Sequence, residues 1–226
     1  MNLHVSTMTG KLEDLTALST TCVCNPICVK RMKSGHGVCP WCFGEASVRL
    51  FPSLGAALRR NFDTLTGELI DDETAIRTAC KMRAVNNIAR IESFGDVYNV
   101  VQARNYLRII RAGAAIGLHF GVWTKNPGIW KQAIKLEGRP DNMTFILSSP
   151  ELNTPDVKTA LKYDFIDATF TVYTNVHEKF DAIMAGSVSC QCGRGSCDRC
   201  RFCYSYRRPV GKLIPVDIAE LLRNKG

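Results

Sequence analysis

The 226-residue chain is 46% apolar and 22% charged, a balance that suits a globular protein and argues against a disordered, collagen-like or membrane-embedded one. No apolar run approaches the ~18 residues that span a bilayer, and the opening MNLHVSTMTGKLEDL lacks the charged start and apolar block of a secretory signal. No membrane partner and a cytoplasmic setting (a host cytoplasm, if phage-encoded) are therefore expected, while the moderate formal charge of +8 leaves room for a polyanionic partner.

In chain order, residues 1–21 read as a lead-in that ends in Ser19-Thr20-Thr21, and a cysteine window follows at 22–42. A helix is predicted over about 44–62, kinked or restarted at Pro52, with Leu50, Leu54, Leu58 and Phe62 on one face. A second helix starts after Asp71 or Asp72 and turns Ile76, Ala79 and Cys80 inward, which makes Cys80 a small core residue. Strand NIARIES then begins at Asn87, and a helix over about 98–112 carries Val100, Ala103, Leu107 and Ile110 on its apolar face. Strand GLHFGVW follows from Gly117, and Asn126 caps a helix with Pro127 at its first position, ending at Gly138. Strand TFILSS, a short helix at 155–162 and strand FIDATFTVY from Phe165 complete the alternation. Strands joined by helices of this length need right-handed crossovers and a parallel sheet. Residues 175–189 are weakly patterned, and a final helix is predicted after Pro215, with Asp217 and Glu220 at capping-box spacing. The expected fold is one α/β domain over 1–226 with a mostly parallel sheet, a partial (β/α) barrel, and cysteine-rich metal-binding segments near both ends.

Eleven cysteines without an export signal argue against a disulfide framework, and ten of them fall within 22–42 and 190–203. The second window places Cys192, Cys197, Cys200 and Cys203 as C-x4-C-x2-C-x2-C, with Cys190 spare or an alternative first ligand. Its C-x4-C-x2-C portion has the spacing of plant-type iron–sulfur ligation, and four thiolates without histidine suit a 4Fe-4S cluster or tetrahedral zinc. Each filled four-thiolate site would lower the net charge by about 2. In the first window Cys24, Cys28, Cys39 and Cys42 form a closed set, while Cys28, Cys39 and Cys42 alone would leave one metal position open. Both arrangements stay open, and His36 reads as a loop histidine.

Ligands of parallel α/β folds bind beyond the carboxyl ends of the strands. Those ends carry Glu92, Ser93 and Asp96, then Thr124, Lys125 and Asn126, then Ser148, Ser149 and Glu151, and finally Tyr173. Glu92, Asp96 and Lys125 are the candidate catalytic residues, with Ser93, Thr124 and Ser148 as candidate cofactor-binding groups; capping and ordinary loop polarity are the plainer alternative. The Arg194–Lys212 segment holds six basic residues against Asp198, interleaved with Phe202, Tyr204 and Tyr206. Guanidiniums on phosphates beside rings on bases would suit single-stranded nucleic acid, whereas arginines offsetting nearby thiolates would be a local role. No phosphate-binding loop stands out, so nucleotide hydrolysis is not expected.

The blocks RIESFGDVYNVVQARNYLRII, HFGVWTKNP and FILSSPELN, set between the two cysteine windows, resemble the phage and mobile-element proteins grouped as "gene product 88". The resemblance runs from about Leu15 to Tyr204 and implies a phage or bacterial context without a reaction. Cys39-Pro-Trp-Cys42-Phe also resembles, more remotely, the end of the radical S-adenosylmethionine motif, although the third cysteine lies far ahead of Cys39. That resemblance implies a 4Fe-4S cluster whose open iron binds S-adenosylmethionine, with radical hydrogen abstraction in a barrel mouth. The expected function is an iron–sulfur protein, a radical S-adenosylmethionine-like enzyme with an auxiliary C-terminal cluster. A zinc-stabilised protein binding single-stranded nucleic acid, and a non-catalytic redox protein, are the alternatives.

Overall fold

Alternation along short apolar segments gives this chain a sheet with two different faces. The computed structural model describes residues 2–190, 196–209 and 214–222. Strands β1 (Val5–Thr7) and β2 (Thr16–Leu18) pair antiparallel at one edge. Helices α1 (Pro26–Lys33), α2 (Phe43–Leu50), α3 (Pro52–Gly67) and α4 (Asp72–Lys81) precede β3 (Ile88–Ile91). Helix α5 (Val100–Ala114), β4 (His119–Thr124), α6 (Pro127–Glu137), β5 (Met143–Leu152), α7 (Val157–Ala160) and β6 (Ala168–Tyr173) continue the alternation. Helix α8 (Val176–Met184), β7 (Val188–Ser189), α9 (Cys197–Cys200), α10 (Phe202–Ser205) and β8 (Val216–Leu221) complete it.

The 8-stranded sheet runs β1-β2-β3-β4-β5-β6-β8-β7, and every pairing after the first is parallel. Strands β2 to β6 therefore stand in chain order, and β1 and β7 are the two edges of an open sheet. Ala89, Ile91, Phe120, Val122, Phe145 and Leu147 point to one face, where they pack with Tyr106, Leu107 and Ile110 of α5 and Trp130 of α6. On the other face Ile88, Trp123, Ile146, Ala168 and Ile218 meet Cys203 and Tyr204 of the C-terminal segment. Tyr204 sits edge-on to Trp123 with ring centroids 5.7 Å apart, and the Arg90 guanidinium lies 4.0 Å from the Trp123 ring.

The α/β alternation and the mostly parallel sheet are as the sequence implies. The helix expected over 44–62 is restarted at Pro52, one of the two forms expected, because Pro52 has no amide to continue the first helix and serves as the opening residue of the second. Other details differ. In α4 the inward residues are Thr74, Ala75, Thr78 and Ala79, so Ile76 is 56% exposed and Cys80 is on the outside. A one-residue shift of the apolar stripe turns a helix by about 100°. The weakly patterned tail forms α8, capped by Asn175 accepting from the Glu178 amide at 2.9 Å. The expected final helix is strand β8 instead, where Asp217 accepts from the Thr169 and Thr171 hydroxyls, each at 2.7 Å. Pairing with the open edge of β6 overrides the local capping signal.

The expected metal-binding segments at the two ends are not found. Among the described residues no group of three or more His, Cys, Asp or Glu side chains is placed to hold a metal ion. No helix among them is long and apolar enough to cross a membrane.

Candidate functional site

The carboxyl ends of β2, β3 and β4 are tied together by two buried carboxylates, Glu92 and Asp96. Glu92 follows β3 in a left-handed backbone conformation, φ 59°. Its Oε1 accepts from the Thr20 hydroxyl at 2.7 Å, Gln102 Nε2 at 2.8 Å and the Tyr106 hydroxyl at 2.5 Å, while Oε2 accepts from the Thr20 amide at 3.1 Å. Gln102 and Tyr106 are one turn apart on α5, so the helix presents both donors from the same face. Burial pushes the Glu92 carboxyl up to about 7, and the donors from Tyr106 and Thr20 restrain the shift.

Asp96 accepts from the Thr124 hydroxyl at 2.7 Å, the Val97 and Lys125 amides at 2.8 Å and Asn126 Nδ2 at 3.1 Å, with Arg31 at 3.7 Å. Burial raises its pKa, and the Lys125 amide and Thr124 hydroxyl oppose the rise. Asn126 thus spends its amide on Asp96 and Val97, and makes no cap bond to α6. Lys125 extends its ammonium to Ser148 Oγ at 3.0 Å and makes no ion pair with a carboxylate among the described residues. The Ser93 amide donates to Ser19 Oγ at 2.9 Å, and the buried Ser93 hydroxyl has no partner among the described residues.

The first cysteine window lies over these strand ends. Its fastenings are the Cys22 amide on the Phe94 carbonyl (3.1 Å), Asn25 Nδ2 on the Asp96 carbonyl (2.7 Å) and the Val38 amide on the Pro150 carbonyl (2.9 Å). Arg31 adds bonds to the Lys125 carbonyl at 3.0 Å and Asn126 Oδ1 at 2.9 Å. The approach is close enough that Gly37, at φ +72°, and Gly44 have no room for a Cβ against the Pro150 and Phe94 carbonyls.

Inside the window the Cys22 thiol hydrogen-bonds Cys42, which is the N-cap residue of α2. That contact, the amides of Glu45 and Gly44 and the nearby Lys125 charge lower the Cys42 pKa to about 6 against the opposing effect of burial. The same contact raises Cys22, together with its burial. Burial also raises Cys28 and Cys39, and Lys125 opposes the rise at both. Cys24 is set apart, since the charges it feels are Arg59 and Asp63 of α3.

These placements explain why the expected ligand sets fail. Cys24 faces α3 instead of joining Cys28 and Cys39, and Cys42 is bonded to Cys22, which lies outside the closed set. In the second window Cys192 lies outside the described residues. Cys197 is buried with Met8, Leu12 and Leu15, Cys203 packs against both cores of the second sheet face, and Cys200 is exposed. With no metal-holding group among the described residues, the iron–sulfur, zinc and radical S-adenosylmethionine expectations, and the function built on them, are overturned.

Of the other expected site residues, Glu92, Asp96, Thr124, Lys125 and Ser148 do come together at one end of the sheet. Cys22 escaped the spacing argument because β2 is too short to read as a strand; as a strand-end residue it would have counted. In the basic segment Arg194 and Lys212 lie outside the described residues. Arg208 Nη2 donates to the Asp164 carbonyl at 2.8 Å, and Arg207 reaches Asp167 at 3.6 Å. Tyr204 is buried, while Phe202 and Tyr206 stack on each other at 4.7 Å and pack against the sheet, so these rings are committed to the core.

An open, mostly parallel α/β sheet with a thiol-bearing roof over its carboxyl edge defines the class of this protein. The model of the family described as Gene product 88 matches residues 5–206, and the chain belongs to that family. Neither a curated protein nor a solved structure matches it.

Proposed function

We propose that Cys42 is a nucleophilic thiolate in a small-molecule site on the carboxyl edge of the sheet, with Lys125 as its counter-ion. The observation that carries this reading is the convergence on Cys42 of the Cys22 thiol, the Gly44 and Glu45 amides and the Lys125 charge. A thiolate is the attacking form of cysteine, and donors of this kind keep it populated near neutral pH. Lys125 has no carboxylate partner among the described residues, so its charge is available to an anionic substrate as well as to the thiolate. Glu92 and Asp96 are positioning residues here: their bonds hold the 92–97 and 124–126 segments on which Lys125 is mounted. Thr124 secures Asp96, Ser148 orients Lys125, and the Ser93 hydroxyl is a polar group left for a ligand. In this reading the chain works as one α/β unit in a reducing cytoplasm, with residues 22–42 as its active subsite.

Iodoacetamide alkylation followed by peptide mass spectrometry tests it. Cys42 is expected to react with a midpoint near pH 6, well ahead of the exposed Cys80. Lys125→Met should move that midpoint upward. Equal rates at Cys42 and Cys80 up to pH 8 would overturn the reading.

A further inference from the structure

We propose that Cys42 and Cys22 form a reversible disulfide, making the site a dithiol that exchanges with a low-molecular-weight disulfide; this rests on the thiolate reading above. The geometry separates the two roles. Cys22 is 1% exposed, so an oxidant cannot reach it first, yet its thiol already touches Cys42. Cys42 is half-buried at the N-cap position of an eight-residue helix. Cys28 and Cys39 lie within electrostatic range of Cys42, but only Cys22 is hydrogen-bonded to it. Cys22 is held by its amide on the Phe94 carbonyl, and Gly44 abuts that same carbonyl, so one short loop carries both partners.

The cycle balances as follows. The Cys42 thiolate attacks one sulfur of RS–SR, forming Cys42–S–SR and releasing RS⁻. Cys22 then gives up its proton and attacks Cys42 Sγ, forming the Cys22–Cys42 bond and releasing a second RS⁻. The protons of the two protein thiols end on two RSH, so RS–SR is reduced as the dithiol is oxidised. Oxidation also removes the negative charge beside Lys125, which links the redox state of the pair to the anion affinity of the site.

The test uses the full reduced chain and hydroxyethyl disulfide, with N-ethylmaleimide quenching and non-reducing tryptic mass spectrometry resolved by fragmentation. The wild-type chain is expected to give the Cys22–Cys42 disulfide before any other pair, with dithiothreitol restoring both thiols. Cys22→Ser and Cys22→Ala should instead hold the hydroxyethyl mixed disulfide on Cys42, about tenfold longer or more than the wild type does. A lasting mixed disulfide in the wild type, or pairing of Cys42 with Cys28 or Cys39, would overturn the dithiol. If Cys42 still takes up iodoacetamide at pH 6, the thiolate reading survives that result; if it resists both reagents, both fail. The wild-type measurement decides the matter even if neither Cys22 variant folds.

Discussion

Glu92 shows how one side chain can serve position and titration together. It is fully enclosed, it accepts four hydrogen bonds, and burial still lifts its pKa to about 7. Between the ordinary carboxyl pKa and that value, the native chain holds a proton that the unfolded chain has released. Stability present at pH 4–5 is therefore lost as the pH rises through 7, by at most about 3 kcal/mol. Glu92→Gln removes this titration and turns an amide donor toward the Thr20 amide, at a cost of about 1–3 kcal/mol. Urea unfolding at pH 5 and pH 8 should show the gap between variant and wild type narrowing at the higher pH; a constant gap would contradict the assignment. Glu92, Asp96 and Lys125 were legible as strand-end residues, but which of them carry an enclosed carboxylate and which an available charge depends on contacts from α5 and α1.

At the scale of elements, the decisive feature is how α1 and α2 are seated on the strand ends. The seat is made of backbone contacts, with Gly44 against Phe94 and Gly37 against Pro150. Gly44→Val is expected to lift α2 from the 92–97 segment and destabilise the protein by about 2–4 kcal/mol. Hydrogen exchange at 22–50 should rise by a larger factor than exchange in α5, and the Cys42 alkylation midpoint should move upward as the thiol loses its donors. Uniform loss of protection across both regions would count against a local seat. Helix starts at Pro52, Asp71 and Pro127 were readable because capping is local. Strand β8 was not, because its partner β6 lies far away in sequence.

For the whole molecule, the second cysteine window acts as packing. Tyr204, Cys203 and Phe202 cover the sheet face opposite α5 and α6, around Trp123. Tyr204→Ala should cost about 3–5 kcal/mol in chemical denaturation and expose Trp123, read as a red shift of tryptophan emission. A change below about 1 kcal/mol would show that this face needs no cover. The alternation of apolar residues, the proline and aspartate helix starts and the family blocks fixed the α/β class from the amino-acid order, because each acts over a few residues or within one element. The fate of the cysteines was decided only in three dimensions. Ligation requires several sulfurs to converge on one point, and sequence spacing does not control that where long connections intervene. Here the contacts of 22–42 with Phe94, Asp96 and Pro150 turn Cys24 toward α3 and bring Cys22 onto Cys42.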